Sequence, residues 1–210
     1  MPKKEAPINH LQQYLPEGTY LAVFQYLQQY HVHLTIARER NSILGDYRHQ
    51  TKGTNHRISV NGNLNKYAFL LTLIHELAHL LTFEKFGNKV SSHGKEWKNI
   101  YGSLLEQFLK NKIFPVDIEQ EIQKTLHNPA ASSCAEVPLS RVLRRYDVKK
   151  PGHQMIEEMF VNAVFKTHDG RVFKKGEKIR KRFRCIEMST GRIYLFSAIY
   201  EAELVNISRA

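Results

Sequence analysis

LLTLIHELAHLLTFEKFG (70–87) sets two histidines and a glutamate inside a run otherwise suited to burial. Lys66 to Phe86 contains no glycine or proline, with Asn65 placed to cap it and Gly87 to stop it, so the pattern predicts one long helix. Residues four apart on a helix differ by about 40° in azimuth, so His75 and His79 share a face and can hold one cation between them. Neutral imidazole nitrogen suits Zn²⁺ at about 2.0–2.1 Å, and Glu76 falls where a carboxylate reaches water at the metal without being a ligand. Burying histidine among Ile74, Leu77, Leu80 and Leu81 costs free energy unless both ring nitrogens find partners. The competing reading of so short a motif is a pair of core-edge histidines bonded to backbone or carboxylate.

A catalytic zinc takes three protein ligands and keeps one position open. Downstream, SSHGKEWK (91–98) offers His93, and Gly87 lets the chain reverse so that the loop returns it to the first helix. Glu96 is the rival third ligand, although an acid in the first turn of a helix is also explained by the helix dipole. The compact pattern with a third histidine six residues after the second is absent, because Lys85 stands there.

His75-Glu76-Leu77-Ala78-His79 followed by His93-Gly94-Lys95-Glu96-Trp97-Lys98 resembles the SprT-like metallopeptidases, the group that includes Spartan. The resemblance covers roughly residues 15–109. It implies a zincin-like domain, a zinc metalloendopeptidase with His75, His79 and His93 as ligands of one Zn²⁺ and Glu76 as the catalytic acid/base. Spartan-type members act on proteins crosslinked to DNA; the metal site carries over residue by residue, whereas the substrate does not. Many members also carry a C-terminal zinc ribbon with paired cysteines. This chain has only Cys134 and Cys185, so no second zinc site is expected, and a metal-free β module is expected in the ribbon's place.

Around the motif, the patterning predicts an α+β fold. Residues 18–30 read as a helix, and segments at 32–36, 43–47 and 57–60 as a small three-stranded sheet whose last strand is expected to offer an edge to an extended peptide. Residues 94–110 and 115–126 read as packing helices, the first with Trp97, Ile100, Tyr101, Leu104, Leu105 and Phe108 on one stripe. Asn128 to Pro138 is small, polar and proline-bearing, which places a boundary between a metallopeptidase domain at 1–135 and a basic β-rich module at 136–210. Within that module strands are expected at 159–166, 171–173, 178–187, 192–196 and 200–205, with a turn at Lys175-Gly176.

The 210 residues are 42% apolar, enough to bury a core without disulfides, and carry a net charge of +11. No signal-peptide pattern and no bilayer-length apolar run is present, so a cytoplasmic protein without membrane contact is expected. Between Arg171 and Arg184 lie eight basic residues and one acid, Glu177. Lys174, Lys175, Arg180 and Arg182 are the candidate phosphate contacts there, with Phe173 and Phe183 placed to stack on bases, against the alternative of a solvated, aggregation-resistant edge. The partners expected are therefore a protein substrate and DNA. The rival to the protease is a non-proteolytic DNA-binding or adaptor protein in which zinc staples two helices. His31, His33, His49, His56, His127, His153 and His168 read as surface residues.

Overall fold

The computed structural model describes residues 8–40, 42–130 and 137–205. After a 3-10 turn at Ile8–Tyr14 come α1 (Tyr20–Gln29), β1 (His33–Ala37), β2 (Gly45–Arg48), β3 (Arg57–Asn61) and α2 (Lys66–Phe86). Then follow α3 (Lys95–Lys110), α4 (Val116–Thr125) and α5 (Val137–Leu143). The fold is mixed α+β, with five α-helices and two sheets among the described residues.

In the first sheet the order is β1-β3-β2, with β1 parallel and β2 antiparallel to β3. Ile58 and Val60 on β3 are buried, as alternation on a central strand requires. This overturns the expectation that 57–60 is an open edge. Both sides of β3 are paired, and the free edges belong to β1 and β2.

Asn65 caps α2 by accepting from the backbone N–H groups of Tyr67 and Ala68. Gly87 ends the helix at φ 59°, a conformation that costs glycine no steric penalty. Helix α2 is apolar nearly all round because it is buried nearly all round: Phe69, Leu70, Leu73, Ile74, Leu77 and Leu80 are fully enclosed. The sheet covers part of it, and α3 covers another with Trp97, Tyr101, Leu104 and Phe108.

Two compact units emerge, 1–147 and 148–210, so the division lies beyond the expected 135/136. Leu139, Val142 and Leu143 of α5 join the first core. Asn65 donates to the Leu143 carbonyl (3.0 Å), and the Tyr146 hydroxyl donates to Asp117 (2.7 Å). Composition alone marked the linker too early. Cys134 lies outside the described residues.

The second unit contains β4 (His153–Met155), β5 (Val164–Lys166), β6 (Val172–Ile179), β7 (Arg182–Glu187), β8 (Ile193–Ser197) and β9 (Glu201–Leu204). They form one antiparallel sheet in the order β4-β9-β5-β6-β7-β8, over a core of Phe165, Phe173, Phe183 and Cys185. The segment 178–187, read as one strand, is instead a hairpin turning at Arg180 (φ 54°) and Lys181. Lys175-Gly176 is no turn but sits within β6 where the register shifts, and Gly176 lies so close to β7 that a Cβ would stand 2.6 Å from the Arg184 carbonyl oxygen. No described helix is long and apolar enough to cross a membrane.

Candidate metal centre and its cleft

Helical spacing on α2 brings His75 and His79 onto one face, and the loop after Gly87 returns His93 to them. The Nε2 atoms of His75 and His79 are 3.2 Å apart, and those of His75 and His93 are 3.4 Å apart. Two ligands of a tetrahedral ion bonded at about 2.0–2.1 Å stand about 3.3 Å apart, so the donor spacing fits a zinc-sized cation. No other described histidine, cysteine, aspartate or glutamate belongs to a group of three that could hold a metal. Glu96 is outside the cluster; its Oε2 lies 3.2 Å from where a Cβ on Gly94 would stand, at the start of α3 where the dipole favours an acid.

Burial, with the mutual repulsion of neighbouring imidazolium charges, pushes His75 down to about 3 and His79 down to about 4. His93 is lowered as well, by burial and then by Lys98. Three rings held neutral near pH 7 offer lone pairs to a cation rather than protons to water. Trp97 is fully buried and packs against all three rings, with centroids 4.7 Å from His75, 5.3 Å from His79 and 4.7 Å from His93. Among the described residues His75 Nδ1 and Trp97 Nε1 are buried without a hydrogen-bond partner, so none of those residues supplies the acceptor expected behind a ligating His75.

Glu76 projects about 100° round the helix from His75 into the same cleft. Burial, reinforced by Asp46 and opposed by Arg40, pushes its carboxyl up to about 8. Gly45 on β2 makes room for it: a Cβ there would lie 2.5 Å from Glu76 Oε1 and 2.7 Å from Thr72 Cγ2. Arg40 is pinned by Asn61 (2.7 Å) and Ser59 (2.9 Å), and Asn61 holds the carbonyls of Arg40 and Ile43, fixing the loop that leads into β2. Sequence reasoning missed Arg40, Gly45 and Asn61 as parts of the site. The cleft, about 640 Å³, runs between β2 (Gly45, Asp46, Tyr47) and the loop carrying Val90 and Ser92, with the histidines and Glu76 on its floor.

In the second unit, Lys174, Arg180 and Arg182 are exposed on β6, β7 and the hairpin between them. Lys175 is a correction. It is 3% exposed, its ammonium donates to the Met159 carbonyl and lies 4.4 Å from the centre of the Phe183 ring, so it is not placed to meet a phosphate. Strand alternation also turns Phe173 and Phe183 into the core, which removes them as stacking platforms. Cys185 is likewise a core residue, its thiol pushed up by burial.

No curated protein and no solved structure matches the chain. A family model does, the SprT-like family, over residues 13–121. That span takes in α1, the first sheet, the three-histidine cluster, Glu76 and α3, and the chain belongs to the SprT-like family.

Proposed function

We propose that this chain is a zinc-dependent endopeptidase, with a zincin-like first unit in which His75, His79 and His93 hold one Zn²⁺ and Glu76 is the acid/base. The observation that carries the reading is the convergence of three neutral imidazole nitrogens beside a buried carboxylate on the floor of an open cleft. When bound, zinc supplies Lewis acidity and lowers the pKa of a coordinated water towards neutrality. Glu76 takes a proton from water in the cleft and passes it to the leaving amine. Its carboxyl, whose pKa burial and then Asp46 push up to about 8, would be ionised by a cation held at the three histidines, which would suit it to accept that proton. The cleft wall at β2 has a free strand edge, to which an extended peptide can add by backbone hydrogen bonds.

The non-proteolytic rival needs a fourth protein ligand to close the site, and none joins the three histidines among the described residues. Zinc analysis and protein-cleavage assays of the native chain and Glu76→Gln test the reading. One zinc per chain in both, with cleavage lost only in the variant, is expected. Equal cleavage by the variant would remove Glu76 from its role. The exposed Lys174, Arg180 and Arg182 favour DNA-associated proteins as substrates, because cations on one hairpin give sequence-independent affinity for phosphates.

A further inference from the structure

His56, read from sequence as a surface residue, is 2% exposed, just before β3. The Gln50 backbone N–H donates to its Nδ1 (3.3 Å), which identifies Nδ1 as the unprotonated nitrogen. The ring proton is therefore on Nε2, donated to Glu84 Oε1 on α2 (3.1 Å). The Tyr47 hydroxyl, 2.9 Å from the same Nδ1, has one role left there, that of donor.

The far side of this chain of bonds is the metal centre. The Tyr47 ring lies parallel to His79, with 3° between planes and 6.4 Å between centroids, and within 20° of parallel to His56 at 5.9 Å. Strand β2 and its continuation thus meet α2 in three steps: Gly45 at Glu76, Tyr47 at His79, and Gln50 at Glu84 (3.5 Å).

We propose that His56 is a positioning residue: by tying the Tyr47 hydroxyl to Glu84 of α2, it holds the Tyr47 ring flat beside His79 and fixes the plane in which His79 presents Nε2. The inference rests on the metal-site reading for its purpose, not for its geometry. One corollary concerns the reaction. Tyr47 lines the cleft, yet its proton is committed to His56, so it is not the donor to a developing oxyanion.

Two measurements on the full chain test this. In the metal-free protein, long-range ¹H–¹⁵N spectra of the imidazoles should show His56 in the Nε2–H form, and His56→Leu should displace the His79 ring resonances as the Tyr47 ring departs. A His56 Nδ1–H form, or His79 resonances unmoved by His56→Leu, overturns the proposal whether or not the chain binds metal. In the second, Co²⁺ is titrated and followed by its visible absorption. Tyr47→Phe, which keeps the ring and its packing, and His56→Leu should each weaken Co²⁺ binding roughly tenfold, the low end for groups that orient a ligand, and should alter the bands. The double variant should add little to either. Additive losses, or Tyr47→Phe indistinguishable from native, would refute action through Tyr47. At saturating metal the loss on Tyr47→Phe should fall short of the about 10²–10³ in kcat that removing an oxyanion donor costs; a loss of that full size would make Tyr47 the oxyanion donor and overturn the corollary. A native chain that binds no Co²⁺ would fell the metal reading, and the imidazole spectra would still judge the positioning.

Discussion

Replacing Glu76 by Gln should stabilise the metal-free protein, increasingly as pH rises. Folding lifts the Glu76 carboxyl from 4.5 to about 8, chiefly by burying it. Between those values the folded chain keeps a proton that the unfolded chain has released, so stability falls with rising pH by about 1.4 kcal/mol per unit. From pH 4.5 to 7 the loss reaches about 3 kcal/mol, and it levels off near pH 8. Glutamine does not ionise and escapes this loss. The assay is urea denaturation of chelator-treated native and variant chains from pH 4.5 to 8, followed by fluorescence. Trp97 is the sole tryptophan and is enclosed against the three histidines, so the signal reports unfolding of the first unit. The stability difference should grow by about 3 kcal/mol between pH 4.5 and 7. A constant difference would mean that the carboxyl is not desolvated, and the account of Glu76 would fail. Adding zinc should shrink the difference, because a cation stabilises the carboxylate but not the amide.

Three other outcomes are expected. Gly45→Ala forces a Cβ within 2.5 Å of Glu76 Oε1; it should retain zinc yet lose at least about tenfold in cleavage, at a stability cost of about 1–3 kcal/mol, measured by metal analysis, initial rates and denaturation. His75 and His79 have folded pKa values of about 3 and about 4, below the usual 6.5. Their contribution is complete above about pH 6.5 and is lost as pH falls through about 4 for His79 and about 3 for His75, because the unfolded chain takes up the protons first; denaturation in the Glu76→Gln background, free of the opposing carboxyl, should show stability falling with acid. Neutralising Lys174, Arg180 and Arg182 together should flatten the salt dependence of duplex DNA binding by about 0.9 per lost phosphate contact, whereas Lys175→Ala should leave that slope unchanged and destabilise the second unit.

Much of the centre was legible because its signals are local. Helical spacing aligns His75 with His79, Gly87 stops the helix, and SSHGKEWK supplies a histidine just ahead of a helix start. The cleft wall was not legible, since it depends on which strand lies beside which. A strand such as 57–60 carries no mark of being central, and Gly45 owes its place to a carboxylate thirty-one positions away. His56 shows the same limit: its tautomer and burial come from Tyr47 and Gln50 on β2 and its continuation and from Glu84 on α2, two segments joined to it only by the fold. In the second unit, charge density marks a basic hairpin but not the facing of each residue. Pairing of Phe173 with Glu187 and of Lys175 with Cys185 settles that, and it turned Lys175 inward.

The three proposed ligands differ in what must open to free them. His75 and His79 belong to a helix enclosed on nearly every side, whose backbone amides should exchange with solvent chiefly when the whole unit opens. His93 sits on a short loop with exposed neighbours, Ser91 and Ser92. Loading and loss of the cation are then expected to proceed through His93 alone, with a two-histidine intermediate. On that account the residence time of a bound metal would be set by the loop, and the stability of the empty site by the helix. A substitution in 87–92 should change how fast the ion exchanges with chelator far more than it changes the melting of the metal-free protein.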